Sequence, residues 1–265
     1  MPVSDPRASG DEPTAVSIGG EQAAVSIGDA RVVVTGGARG IGAAIVDRFR
    51  AAGAAVAALD RSFIDAELDA EVVRVEVELS EPSSVAVAMD QAIGLLGGID
   101  VLVNNAGIFR ITPLLEIEPD EWDEMFAVNT RSMLLTTQAA ARAMIAAGSG
   151  GCVVNMASMG GKVGAAGQAH YAASKAAVIS LTQVSAAELG RHGINVNAVC
   201  PGYVLTEMGA DTRTAEQIAE WSARSPLGRL ATPDDVANMV MFLASPASAY
   251  CTGQAFNVTG GMITH

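Results

Sequence analysis

The chain has 265 residues, of which 50% are hydrophobic, 17% charged and 4% aromatic, which excludes a generally disordered chain or a mini-domain held by metal or disulfides. Its formal net charge of −13 repels phosphate backbones and anionic lipid, so neither nucleic acid nor a membrane surface is an expected partner. Cys152, Cys200 and Cys251 stand apart without paired spacing; no metal site or disulfide framework is anticipated, and free thiols with no long apolar run suit a cytoplasmic protein.

Residues 1 to 29 are rich in Pro, Ser, Gly and acids and are expected to form a flexible extension. From Arg31 onward, β-branched runs alternate with helical stretches, the pattern of βαβ units around a parallel sheet. RVVVT (31 to 35) is the first strand. Ile41, Ile45 and Phe49 then form one helical stripe, which Gly53 is placed to stop. AAVAALD, ending at Asp60, is the second strand and VVRVEVE (72 to 78) the third. A helix start follows at Ser80, Glu81 and Pro82.

IDVLVNNAG is the fourth strand, followed by one long helical region over 119–147. GCVVNMAS is the fifth strand, ahead of a helix over 168–191 and the sixth strand, INVNAVC. After Pro201 the periodicity weakens until a helix at 233–243 and a last strand over 254–258. Seven strands and about six main helices predict a single doubly wound α/β domain over residues 30 to 265, of Rossmann type, with a parallel seven-stranded sheet and helices on both faces. Ligands of such sheets bind at the carboxyl ends of the strands.

The turn TGGARGIG (35 to 42) lies between the first strand and first helix. Gly36 allows a tight turn, Gly40 a close backbone approach to a pyrophosphate and Gly42 close helix packing, while the helix start offers free N–H groups. Asp60, at the end of the second strand, is placed to accept hydrogen bonds from a ribose and to repel a 2′-phosphate, so NAD is favoured over NADP. Arg39 and Arg61 pull the other way.

Tyr171 and Lys175, in YAASK, lie four residues apart on one helical face. A neighbouring ammonium is expected to stabilise the phenolate and lower its pKa, which makes the pair a proton shuttle. Ser158 ends the fifth strand, where its hydroxyl could hold a substrate oxygen.

Together with NNAG (104 to 107), Asn129 and the Pro201–Gly202 pair, these motifs resemble the short-chain dehydrogenase/reductase family over roughly residues 30 to 265. The resemblance implies a catalytic set of Asn129, Ser158, Tyr171 and Lys175. In it Tyr171 exchanges the proton, Ser158 orients the reacting oxygen, Lys175 binds the nicotinamide ribose and Asn129 holds a relay water. It further implies cofactor contacts from Ile41, Leu79, Asn105, Ala106, Gly107, Pro201 and Gly202, with Val204 and Thr206 meeting the nicotinamide carboxamide. Two positions depart from the family pattern: Glu78 stands where an adenine-contacting Asp is usual, and Thr259 where Asp is usual near the C-terminal Gly-Gly.

Stretches such as ARAMIAAGSGG and RHGINVNAVCPG are similar to bacterial polyol dehydrogenases of the sorbitol and galactitol type, which implies a polyol-like secondary alcohol. Substrate contacts are expected from Ser158, Met159, Gln168, Tyr171, Tyr203 and Met208, in part from a loop over 203–229, with His170 and Trp221 as further candidates. A 3-oxoacyl-thioester reductase using NADPH is the alternative enzyme. A nucleotide-sensing protein without turnover is the alternative of another class, disfavoured by the intact Ser158, Tyr171 and Lys175. The Ala-rich helix over 168–191 and the family resemblance imply a homotetramer.

Overall fold

The computed structural model describes residues 27–206 and 214–265. The expected extension lies outside the described residues except for Ile27–Asp29, a 3-10 turn that leads into the first strand. Seven parallel strands form one sheet: β1 (Arg31–Thr35), β2 (Ala55–Asp60), β3 (Val73–Glu76), β4 (Val101–Asn104), β5 (Gly151–Met156), β6 (Ile194–Pro201) and β7 (Ala255–Val258). They lie in the order β3-β2-β1-β4-β5-β6-β7. The chain reverses direction across the sheet between β1 and β4, which opens a crevice at their carboxyl ends.

The central strands read as continuous apolar runs because both faces are covered. Val32 and Val34 face α1 (Gly40–Ala51) and α7 (Pro233–Ala244), where Ile45, Phe49, Val236 and Val240 complete one core. Val33, Leu102 and Val153 face α2 (Pro82–Leu96), α4 (Ser132–Ala147) and α5 (Ala169–Leu189) on the other side. Alternation along each strand therefore distributes its side chains between two layers of helix.

Two elements differ from the sequence expectation. The region over 119–147 is not one regular helix but α3 (Pro119–Phe126), a π-helical turn over Ala127–Arg131, and α4. The π turn accommodates an extra residue and carries Asn129 into full burial. The second difference is α6 (Ala215–Arg224), in the segment where periodicity is weak. It has no buried residue, so no core-facing stripe marks it; its one sequence signal is the Thr214…Gln217 capping box, both bonds of which are formed. Among the described residues, no helix is long and apolar enough to cross a membrane, and no group of His, Cys, Asp and Glu could hold a metal ion.

Candidate active site

The glycine-rich turn sits at the β1/β4 crevice. Gly36 and Gly37 donate their N–H groups to the Leu59 carbonyl at 2.7 and 3.3 Å, and Gly36 and Gly40 have φ of +63° and +57°, which only glycine adopts without strain. A Cβ at Gly36 would lie 2.9 Å from Ala106 Cα, and one at Gly42 would lie 1.8 Å from the Gly36 carbonyl oxygen. Both positions therefore exclude any side chain. At Gly40 the nearest described atoms are those of Thr206, 3.7 Å from a would-be Cβ, an ordinary contact.

Asn105 holds this turn from β4. Its Nδ2 donates to the carbonyls of Thr35 at 3.1 Å and Gly36 at 3.0 Å, while Thr35 Oγ1 accepts from the N–H groups of Asn105 and Ala106. The Asn105 side chain is thus occupied within the protein. Helix α1 starts at Gly40 with no side-chain cap from Arg39, leaving first-turn N–H groups directed at the crevice.

Asp60, partly exposed at the end of β2, accepts from Ala38 N at 3.0 Å through Oδ2 and from Arg61 N at 2.7 Å through Oδ1. Each oxygen keeps a further lone pair. Arg39 and Arg61 are exposed. Glu78 is turned toward its own loop: Oε1 accepts from both Ser80 N and Ser80 Oγ, and neighbouring Leu79 is buried in the core.

Ser158 caps the 3-10 turn Met159–Gly161, its Oγ accepting from Gly160 N at 3.0 Å. The same hydroxyl acts on the Tyr171 phenol, holding its pKa down against burial. A Cβ at Gly161 would lie 2.7 Å from the Lys175 backbone carbon, so this glycine lets the serine turn pack directly on α5. Tyr171 lies on the first turn of α5, with Lys175 one turn later. The Lys175 Nζ stands 5.9 Å from the centre of the phenol ring and donates to the Met156 carbonyl at 2.8 Å.

The electrostatics correct one expectation. Burial pushes the Tyr171 phenol above its ordinary value; the Ser158 hydroxyl opposes that shift, and the Cys200 thiol adds to it. Burial likewise pulls the Lys175 ammonium down, to about 8. Desolvation outweighs the attraction between the two groups.

Asn129 is fully buried in the π turn. Its Oδ1 accepts from Ile108 N at 2.8 Å, and its Nδ2 donates to the Ile108 carbonyl and Ser174 Oγ at 3.0 and 3.1 Å. The amide nitrogen is thus occupied within the protein, while Oδ1 keeps a second lone pair on the Gly107 side. A Cβ at Gly107 would fall 3.2 Å from both Asn129 Oδ1 and Lys175 Nζ. The bare backbone of Gly107 is what leaves room beside the Lys175 ammonium.

The remaining expected contacts divide. Gly202 closes on β7, with Met159 Sδ 3.6 Å from its would-be Cβ. Pro201 is buried at the end of β6, and Val204 belongs to the core and bridges to Ala231, so Val204 can reach a ligand only through its backbone. Tyr203 stacks on Trp221 of α6, rings 4.6 Å apart and 6° from parallel. Gln168 is the residue before α5. Met208 lies outside the described residues. His170 is fully buried against Glu121, which removes it as a substrate contact.

Two neighbours of the phenol had no sequence signal. Phe109 meets the Tyr171 ring edge-on, 4.8 Å between centres. The Cys200 thiol is buried, and burial pushes its pKa up against the pull of the Ser158 backbone N–H, Lys162 and Lys175. Nothing in the spacing of a phenylalanine or a strand-end cysteine distinguishes it from core material.

The Gly40 backbone and the start of α1, then Gly107, Lys175, Tyr171 and Ser158 follow one another along the carboxyl side of the sheet. N–H donors at one end suit a pyrophosphate, Asp60 suits a ribose diol, and an ammonium beside a side-chain-free backbone suits a second ribose. A nicotinamide dinucleotide fits this sequence of groups.

The comparisons with known proteins agree with this geometry. Residues 36–263 match the family model described as Enoyl-(Acyl carrier protein) reductase. The chain is 39% identical over 244 residues to sorbitol dehydrogenase from Cereibacter sphaeroides, covering 86% of this chain and 95% of that protein. It is also 39% identical over 253 residues to (3R)-3-hydroxyacyl-CoA dehydrogenase from Rattus norvegicus, covering 88% of this chain and 96% of the relative. Among solved structures, a short-chain type dehydrogenase/reductase from Mycobacterium marinum superposes with a TM-score of 0.82 at 34% identity, covering 91% of this chain and 99% of that one.

Proposed function

Because the chain belongs to the short-chain dehydrogenase/reductase family, we propose that it is an NAD-linked dehydrogenase interconverting a polyol-like secondary alcohol and its ketone, with Tyr171 as the proton-transfer residue. Family membership makes it a nicotinamide-dependent oxidoreductase acting on a CH–OH carbon. The observation that supports the finer reading is the Tyr171 phenol, acted on by the Ser158 hydroxyl and faced by the Lys175 ammonium 5.9 Å from its ring centre.

In the reducing direction the phenol gives its proton to the carbonyl oxygen, which the Ser158 hydroxyl orients. In the oxidising direction Tyr171 must first lose that proton and then take the one from the substrate hydroxyl. A nicotinamide, when bound, supplies the two-electron partner for the hydride leaving or reaching carbon. Since burial raises the Tyr171 pKa, oxidation accelerates with rising pH while reduction holds at neutral pH. Asn129 acts as a positioning residue, holding the chain at Ile108 and the α5 backbone near Tyr171.

NAD is preferred over NADP because Asp60 presents carboxylate lone pairs to a ribose diol and repels a 2′-phosphate. The exposed Arg39 and Arg61 leave that preference to the carboxylate. A polyol is the first substrate class, supported by the sorbitol dehydrogenase relative. A specific observation favours a second reading, a 3-hydroxyacyl thioester: Phe109 at Tyr171 continues into exposed Ile111 and Leu114, an apolar surface suited to an acyl chain.

Incubation with NAD and a panel of sorbitol, galactitol and a (3R)-3-hydroxyacyl thioester, followed at 340 nm, tests both. Polyol-dependent absorbance supports the first reading, thioester-dependent absorbance replaces it with the second, and nucleotide binding without turnover overturns both. The enzyme is further proposed to be a homotetramer; a light-scattering mass of one subunit would refute this.

A further inference from the structure

His170, Glu121 and Thr112 form a closed polar clasp beside the phenol that the chemistry above does not use. His170 is fully buried in the first turn of α5, immediately before Tyr171. Its Nε2 meets Glu121 Oε1 of α3 at 2.9 Å, and its buried Nδ1 has no hydrogen-bond partner among the described residues. The ring has one directional attachment, and Nε2 carries the donor proton. The same carboxylate oxygen accepts from Thr112 Oγ1 at 2.6 Å.

The clasp closes through the backbone. Thr112 N donates to the Gly167 carbonyl at 2.9 Å, and a Cβ at Gly167 would fall 2.8 Å from Ile111 Cγ2. Arg110 pairs with Glu124 of α3 at 2.6 Å, which fixes the same segment a second time. Between these attachments and β4 lies Phe109, whose ring meets Tyr171 edge-on. One carboxylate thus ties the segment that carries Phe109 to the helical turn that carries Tyr171.

We propose that buried His170, paired with the half-buried Glu121, is a positioning device for the reaction: it sets the Tyr171 hydroxyl relative to Ser158 and to the Phe109 wall, without touching substrate. An apolar residue would fill the His170 site as well for packing. An imidazole donating to a shared carboxylate fixes rotation and height of the α5 start, which packing alone leaves loose. Displacement of a reacting group by about 1 Å costs up to about 100-fold in rate, so a clasp of this kind acts on kcat and not on nucleotide affinity.

This inference rests on the reading of Tyr171 as the proton-transfer residue, and the test separates the two. The variants His170→Leu, His170→Gln, Glu121→Ala and Tyr171→Phe are compared using NAD(P) and whichever of sorbitol, galactitol or (3R)-3-hydroxybutyryl-CoA the wild type turns over, with NAD affinity from fluorescence quenching. The expected result is a fall in kcat of about 30-fold for His170→Leu and for Glu121→Ala, and no further fall when they are combined. NAD affinity stays within about twofold, and His170→Gln, which keeps a donor at the Nε2 position, recovers most of the rate.

Should His170→Leu fail to fold, Glu121→Ala and the glutamine variant carry the comparison. Wild-type kcat in the clasp variants, or a glutamine variant as slow as the leucine one, overturns the positioning role while an inactive Tyr171→Phe leaves the catalytic reading standing. An active Tyr171→Phe overturns the catalytic reading and the clasp with it.

Discussion

Lys175 is buried to 4% exposure with one hydrogen bond, to the Met156 carbonyl, and folding brings its pKa from 10.5 to about 8. Keeping it charged costs the folded state about 3 kcal/mol at neutral pH. Replacement by Met removes that cost but leaves the Met156 carbonyl without its donor, a penalty of about 1–2 kcal/mol. Lys175→Met is therefore expected to be more stable than wild type by about 1–2 kcal/mol at pH 7, and to lose activity by at least about 100-fold. The sign with pH follows from the lowered value: the cost is complete below about 8 and disappears as pH rises toward 10.5. The gap in Tm between variant and wild type should narrow across that window, and a gap that widens there contradicts the assignment. Tyr171→Phe should lower kcat about 100- to 10,000-fold at little cost in Tm, since the ring and its contact with Phe109 remain. The four-residue spacing of Tyr171 and Lys175 was legible in the sequence because a helix has a fixed period. The sign of the phenol's shift was not, because it depends on how much water the surrounding β5, β6 and α5 residues exclude.

At the level of elements, the strands and most helices follow from patterns that burial imposes. β1 is found at the residues its apolar run predicts, and Pro82 opens α2 as expected. The departures have a common physical cause. Helix α6 buries no residue, so the signal that marks a core-facing helix is missing there, although the capping box remains. The π turn over Ala127–Arg131 shifts helical phase inside a stretch that stays helical on both sides, and local propensity does not register such a shift. The glycine turn is the element on which cofactor binding depends, and there sequence and geometry point to the same residues. Gly42→Ala would force a methyl group into the space of the Gly36 carbonyl, 1.8 Å from its oxygen. The turn must open, with a stability loss of about 1–3 kcal/mol. NAD affinity, measured by fluorescence quenching, should fall more than tenfold, and unchanged affinity would show that α1 packing, not the nucleotide, requires this glycine.

On the scale of the molecule, the sheet separates function from stability by its two edges. The carboxyl edge carries the buried lysine and the glycines of the first turn, where a side chain would clash. The amino edge carries Asp100, which accepts from Arg31 N, Nε and an NH2 group at 2.9, 2.8 and 2.7 Å and has a side chain 7% exposed. Asp100 N also donates to the Arg31 carbonyl, and Cys152 N to the Asp100 carbonyl, so this one residue joins β1, β4 and β5 beneath the crevice. Burial pushes the Asp100 carboxyl up, but the hydrogen bonds and charge of Arg31 outweigh it and hold the group below its ordinary value. A carboxyl lowered by folding adds stability above its unfolded value near 4, and that stability is lost as pH falls through the lowered folded value. Asp100→Asn keeps the shape and removes the charge beneath Arg31. It should cost about 2 kcal/mol at pH 7, and the difference from wild type should shrink as the pH is taken below 4. Because the pair lies at the opposite edge from Ser158 and Tyr171, kcat/KM should remain within about twofold at temperatures where both proteins are folded. A larger loss of activity without a loss of Tm would mean that the amino edge sets the crevice geometry through β1 and β4, and the division of labour between the two edges would be wrong.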